Sequence, residues 1–335
     1  MKVIIEKNIP FIHGALEHLA EVSYLGADEI TAETMKDADA LITRTRTRCD
    51  AALLDGSRCR FIATATIGTD HIDLDYCRSR GITVANAPGC NAPAVAQYVF
   101  ASLFALPGLR VEPREMTLGI VGVGHVGSIV ERWARQLGFR TLLCDPPRRD
   151  REGSAPFCEY ADILKESDII TFHTPLTVEG DYPTRHLLDA SAGEALCRRP
   201  VIINAARGAV VDNAALVNML DEGKVAAAVI DCWENEPAIS PELLEKAAVA
   251  TPHIAGYSRE GKIRATAMAL GAFCRHFNLP PVKLGEDVPP GAADIVTRQS
   301  IAESYDPLRD TAALKQSPAA FESLRNTYAY RPEVK

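Results

Sequence analysis

A chain of 335 residues has room for two globular domains and a small appendage. Apolar residues make up 47% and charged residues 24%, the balance of a chain that buries a core. With 44 acidic and 36 basic residues the net charge is −8, which excludes the broad cationic surface needed for sequence-independent nucleic-acid binding.

The chain enters an apolar strand, Lys2–Ile5, almost at once. No apolar h-region or small-residue cleavage site precedes it, so export is not expected and the cytoplasm is the expected compartment. Further strands are read at Ala40–Thr43, Phe61–Ile67 and Thr83–Ala85, with helical or turn segments at His13–Glu21 and Leu74–Arg80. A helix follows from Pro93 to Leu106, its proline in the first turn where a missing N–H costs nothing, and Pro107-Gly108 ends it. The most apolar stretch, Tyr98–Leu106, is far shorter than the ~20 residues a bilayer requires, so no membrane partner is expected. A second alternating series has strands at Leu118–Val123, Thr141–Cys144, Ile169–His173, Val201–Asn204, Ala226–Ile230 and Val249–Ala250. Helices lie between them at Val126–Leu137, Asn213–Glu222 and Pro241–Ala247. Ser258–Asn278 reads as one long helix, broken by Pro280-Pro281, and the tail becomes helical around Thr311–Leu324. The fold class that follows is α/β, with two Rossmann-like doubly wound parallel-sheet domains and a small C-terminal appendage. The nine cysteines are scattered without a CxxC pair, and neither they nor the histidines show metal-ligand spacing. No disulfide framework and no metal are expected.

Gly122, Gly124 and Gly127 form a GxGxxG between the apolar run Leu118–Val121 and an amphipathic helix. In that context Gly122 permits a tight turn, Gly124 lets the backbone approach a pyrophosphate, and Gly127 allows close helix–strand packing. An acidic residue is required about 20 positions on, at the end of the next strand, and Asp145 stands there. Its carboxylate accepts hydrogen bonds from ribose hydroxyls and repels a 2′-phosphate, so the expected cofactor is NAD, with Arg148 and Arg149 as a nearby counterweight.

Three later strands each run into a reactive side chain: Val201–Asn204 into Arg207, Ala228–Ile230 into Glu236, and Val249–Ala250 into His253. The carboxyl edge of an open α/β sheet is where ligands bind. Oxidising a 2-hydroxy acid needs a planar donor for the carboxylate, a base for the hydroxyl proton, and a group that orients the base. Arg207, His253 and Glu236 match these roles. A turn-capping arginine, a buried structural histidine and a solvated glutamate are the plain alternatives for each taken alone.

These residues, together with Ala63–Asp73, Gly89–Ala92, Cys144–Arg148, Phe172–Leu176 and Pro252–Ser258, resemble the D-isomer-specific 2-hydroxyacid dehydrogenase family. The resemblance is strongest over residues 36–262. It implies Arg207, Glu236 and His253 as catalytic residues. It implies NAD contacts at His125, Val126, Asp145, Thr174, Ala205, Ala206, Arg207, Asp231 and Gly256, and substrate contacts at Thr45, Thr66 and Tyr257. It also implies a discontinuous substrate (lid) domain, residues 1–92 plus 257–280, around a nucleotide domain, residues 93–256. Residues 281–335 are then a C-terminal segment that makes a homodimer, shorter than the dimerisation region the resemblance suggests. Pro252–Ser258 points within the family to a small phosphorylated hydroxy acid, 4-phospho-D-erythronate. Another acid such as 3-phosphoglycerate, or a nucleotide-sensing corepressor-like role, are the competing readings. For the phosphate, the alternation Thr43-Arg44-Thr45-Arg46-Thr47-Arg48 offers interleaved hydroxyls and guanidinium groups. The three arginines share a side only if the strand continues through them. Arg46 and Arg48 make this loop more basic than the family pattern, and His125 stands where Asn is common.

Overall fold

The computed structural model describes residues 1–335 and divides them into two compact units, Met1–Asn91 with Ser258–Gly291, and Ala92–Tyr257 with Ala292–Lys335. The first unit is a five-stranded parallel sheet: β1 (Lys2–Glu6), β2 (Glu21–Leu25), β3 (Ala40–Thr43), β4 (Phe61–Thr64) and β5 (Thr83–Ala85), in the order β2-β1-β3-β4-β5. Alternation decides which side chains go to which face. Val3 and Ile5 of β1, Ala40 and Ile42 of β3, and Phe61 and Ala63 of β4 join one core with Ala265, Ala269, Leu270 and Phe273 of the helix Arg259–His276. Ile4, Leu41 and Ile62 face the other core, closed by Met35, Leu53, Leu54 and Cys77 from three short helices. Both faces are covered, which is why the strands read as nearly continuous apolar runs.

The second unit holds six parallel strands: β6 (Thr117–Val121), β7 (Arg140–Cys144), β8 (Ile169–Phe172), β9 (Val201–Asn204), β10 (Ala227–Ile230) and β11 (Val249–Ala250). Their order is β11-β10-β9-β8-β6-β7, and a lone parallel bridge from Leu143 to Phe157 extends the β7 edge. The chain reverses direction across the sheet between β6 and β8, so the carboxyl end of β6 is a topological switch point, the place where such sheets bind ligands. Residues 292–335 belong to this unit. The helices Arg298–Ser304 and Pro307–Gln316 pack on Ala92–Phe104, and Phe321 fills the core beneath β8–β10. The helix Ala92–Phe104 is buried almost throughout.

Some expectations change and one open reading is decided. Glu21–Leu25 is a strand and His13–Ala20 are turns, because β2 is a half-exposed edge strand without a clear alternation. β4 stops at Thr64, where Ala65 N–H still donates to Thr43 but the next residues turn away. The strand does not continue past Thr43, so residues 44–48 form a turn and the alternation there has no face. The tail is three helices, interrupted at Ser317-Pro318 because proline cannot donate to a continuing ladder. Residues 281–291 lie in the first unit, where Val282 and Leu284 pack on its core. No helix is long and apolar enough to cross a membrane.

Candidate active site

The fingerprint turn has the geometry its sequence demands. Gly122 takes φ +88°, and a β-carbon there would lie 2.8 Å from the backbone of His173 and 2.9 Å from Thr174 Cγ2. A β-carbon on Gly127 would lie 2.0 Å from Gly122 O, so β6 and the helix His125–Leu137 touch backbone to backbone. Gly124 faces open space, and His125 and Val126 begin the helix, with His125 exposed. Asp145, ending β7, accepts from Val123 N–H at 2.8 Å and Arg148 N–H at 3.0 Å. The Arg148 guanidinium is held away from a ligand by Glu152, at 3.0 and 2.7 Å, and by Val123 O. Arg149 pairs with Glu159. Thr174 Oγ1 is buried without a hydrogen-bond partner beside the glycine turn, an orphan that a bound ligand would satisfy. An open helix N-terminus, an available carboxylate and an orphaned hydroxyl at one switch point fit a dinucleotide.

The reactive side chains come from the neighbouring strand ends. His253 Nδ1 lies 2.8 Å from Glu236 Oε2 and 3.1 Å from Oε1. An ionised carboxylate only accepts, so Nδ1 carries the proton and Nε2 is left as the basic nitrogen. Burial pushes the Glu236 carboxyl up, but the His253 hydrogen bond and charge, Trp233 N–H and Arg325 together hold it below its ordinary value. His253 itself sits at φ +57°, a left-handed backbone. Its N–H donates to Asp231 O at 2.9 Å, and the buried Asp231 carboxylate takes Ile254 N–H, Ala255 N–H and the Thr251 hydroxyl at 2.7–2.9 Å. Asp231 therefore spends its side chain on the loop that carries the histidine. Burial raises its own carboxyl, with His253 and these donors opposing.

Arg207 follows β9. Its Nη1 donates to Ala206 O at 2.9 Å, the carbonyl that also receives the Cys232 thiol. Gly208 next to it is required, since a β-carbon would lie 1.8 Å from Trp233 O. Ala205 is half-buried and Ala206 buried in the same loop, and Gly256 is half-buried beyond His253. The donor atoms of Cys232, Glu236 and His253 fall within 4.8 Å of one another, a juxtaposition that sequence spacing does not reveal. Burial, with Asp231 and Glu236 adding to it, drives the Cys232 thiol well up, so it stays protonated and is a poor metal ligand in that state.

The residues expected to touch substrate are distributed between the units. In the second, the Tyr257 hydroxyl accepts from Arg325 Nε at 3.2 Å. In the first, Thr45 is exposed on the turn after β3, and Thr66 Oγ1 lies 2.6 Å from Thr64 Oγ1 and donates to Gly68 O. The buried Glu6 carboxylate takes Arg44 N–H and the Thr43 hydroxyl, fixing the start of that turn. Arg44 Nη1 donates to Asn8 O, and Arg48 pairs with Asp50 at 2.8 Å. Sequence reasoning missed Cys232 and Arg325. The first sits inside a recognised segment, and the second lies in a tail without any motif.

A hydrogen-bonded histidine–glutamate pair and an arginine at three strand ends, downstream of a dinucleotide turn, define a dehydrogenase of 2-hydroxy acids. Residues 104–255 match the D-isomer specific 2-hydroxyacid dehydrogenase, NAD binding domain. The structure of D-lactate dehydrogenase from Aquifex aeolicus, complexed with NAD and lactic acid, superposes with a TM-score of 0.70 at 25% identity, covering 83% of this chain and 96% of that one. The chain belongs to the D-isomer-specific 2-hydroxyacid dehydrogenase family. Its relatives are more specific. It is 47% identical over 342 residues to the erythronate-4-phosphate dehydrogenase of Bacteroides thetaiotaomicron, covering 100% of this chain and 98% of that protein. To the erythronate-4-phosphate dehydrogenase of Bacteroides fragilis (strain ATCC 25285) it is 49% identical over 339 residues, with 99% and 97% covered.

Proposed function

We propose that this protein is an NAD-dependent dehydrogenase that oxidises 4-phospho-D-erythronate to 3-hydroxy-2-oxo-4-phosphooxybutanoate, a cytoplasmic step of pyridoxal 5′-phosphate (vitamin B6) biosynthesis. The observation that carries the chemistry is the 2.8 Å bond between His253 Nδ1 and Glu236, which presents the opposite ring nitrogen as a base. The substrate rests on full-length relatives of that name.

NAD, when bound, supplies the hydride acceptor. Gly122, Gly124 and Gly127 with the helix start at His125 and Val126 would hold its pyrophosphate, Asp145 its ribose, and Thr174, Ala205, Ala206, Asp231 and Gly256 the remainder. Arg207 grips the C1 carboxylate in a planar, charge-assisted contact and polarises the C2 oxygen. His253 Nε2 takes the C2 hydroxyl proton as the C2–H bond breaks with its electron pair. Glu236 fixes the ring and stabilises the imidazolium that forms. Tyr257, Thr45 and Thr66 contact the rest of the substrate.

The test is NADH formation with 4-phospho-D-erythronate beside 3-phosphoglycerate, with a 2-oxo acid as hydride acceptor in a parallel assay. Preference for the first supports the reading; preference for 3-phosphoglycerate replaces the substrate, and NAD binding without turnover of either favours a sensing role. In the same assay Arg207→Ala and His253→Ala lose about 10²–10⁴-fold in kcat/KM with NAD binding retained, and near-normal turnover in either would remove that residue from the chemistry. We also propose a homodimer to which residues 281–335 contribute. Sedimentation at twice the 36.3 kDa chain mass would support it, and single-chain mass would overturn it.

A further inference from the structure

The helix Phe321–Asn326, in a segment well past the family match that ends at residue 255, carries Arg325 to the catalytic pair. Its Nε donates to the Tyr257 hydroxyl at 3.2 Å. Its Nη1 stands 3.6 Å from Glu322 Oε1 and 4.0 Å from Glu236 Oε2, both outside hydrogen-bonding distance. The Nη nitrogens thus make long ion pairs and no short hydrogen bond, on a side chain that is 22% exposed. A guanidinium fork held only by long ion pairs keeps the capacity for two parallel, shorter bonds to an oxyanion.

We infer that Arg325 is a second anion-binding residue of this site, and that it takes the phosphate of the substrate. The inference rests on the proposed reading that the substrate carries a phosphate. Such a substrate has two anionic ends, and Arg207, on the loop after β9, accounts for the carboxylate. Arg325 reaches Glu236 from another element, beside Tyr257. Two arginines of the 44–48 turn are poorer candidates: Arg48 is committed to Asp50 and Arg44 to Asn8 O. Holding the phosphate is a specificity function, since the family's common chemistry on a 2-hydroxy acid needs one carboxylate grip.

The experiment compares wild type with Arg325→Gln and Arg325→Lys. Thermal denaturation and NAD titration first establish that each variant is folded. The readout is the ratio of kcat/KM for 4-phospho-D-erythronate to that for D-erythronate, together with competitive inhibition by inorganic phosphate. In Arg325→Gln the ratio falls about 10- to 100-fold, mainly through KM for the phosphorylated acid, and phosphate inhibition weakens in parallel. Arg325→Lys, which keeps the charge but not the fork, lies between. Equal losses on both acids would make Arg325 a support for Glu236 and Tyr257 and overturn the assignment, as would an unchanged phosphate inhibition constant. If wild type turned over neither acid, the proposed activity would fail on its own. Calorimetric binding of inorganic phosphate by wild type but not by Arg325→Gln would then uphold the anion site, and equal binding would dismiss it.

Discussion

Glu236 stays ionised although burial works against its charge, and that fixes how the site answers pH. Its folded value lies below the unfolded one, because the bond to His253, the Trp233 N–H and Arg325 outweigh desolvation. A depressed carboxylate contributes stability that is fully present above its unfolded value, near ~4.3, and is lost as pH falls through the lower folded value. Glu236→Gln is therefore expected to be less stable than wild type at neutral pH, with the gap closing below about pH 4. Urea denaturation of both proteins across that range checks it, and a gap that widened on acidification would contradict the sign. The same variant is expected to lose about 10²-fold in kcat, since an amide neither orients nor stabilises the charged ring as a carboxylate does. At this scale the sequence was informative about identity and silent about company. Arg207, Glu236 and His253 stood out in the sequence because each follows an apolar strand within a few residues. Asp231, expected at the cofactor, also holds residues 251–255 through both its oxygens, which its sequence context does not announce. Arg325 could not be read, because only tertiary folding brings residue 325 to residue 236.

Between elements, backbone contact sets the tolerances. The fingerprint helix can lie on β6 only because Gly127 has no side chain, its would-be β-carbon falling 2.0 Å from Gly122 O. The obstacle is backbone and cannot rotate aside, so Gly127→Ala must push the helix start off the strand. The expected cost is about 2–3 kcal/mol, with NAD affinity reduced more than tenfold. Chemical denaturation and a fluorescence titration of NAD measure the two. Wild-type affinity in this variant would show that the close approach does not shape the nucleotide turn. Elements with covered faces were the ones readable from sequence: β9 and β11 fall on Val201–Asn204 and Val249–Ala250 as expected. The half-exposed β2 was not, since neither period stands out in Glu21–Leu25. The run at 43–48 left two readings open in the sequence, and the strand ends at Thr43 for a physical reason. Alternating Thr and Arg satisfy a period of two, but Glu6 captures Arg44 N–H and turns the chain.

Over the whole molecule, the far C-terminus is structural rather than appended. Arg331 is buried, its Nε 3.2 Å from Gln97 Oε1 and its Nη atoms donating to Ile254 O at 3.0 Å, Ala94 O at 3.1 Å and Ala255 O. Its guanidinium also lies 4.3 Å from the centre of the Tyr305 ring. Arg331→Met would fill the space but remove its donors to these carbonyls, leaving Ile254 O with Tyr257 N–H alone, at an expected cost on the order of 1–3 kcal/mol. Reduced melting temperature together with reduced kcat is the expected result, because Ile254 and Ala255 directly follow His253. Unchanged melting would mean the carbonyls find water instead. Nothing in the composition of Tyr328–Lys335 announces this role; an arginine two residues from a glutamate reads as surface.

That clamp also bears on when the enzyme comes into being. A chain is made from its N-terminus, and both sheets are complete in sequence by Ala250, some way before the ribosome reaches Arg331. The loop bearing His253 is then held by Asp231 and Glu236 but lacks the Arg331 donors. A nascent chain, or one cut short by a premature stop before residue 331, has the strands and the fingerprint turn but not this clamp. A chain truncated before residue 331 is therefore expected to turn over more slowly than the full chain, although every strand of both sheets is present.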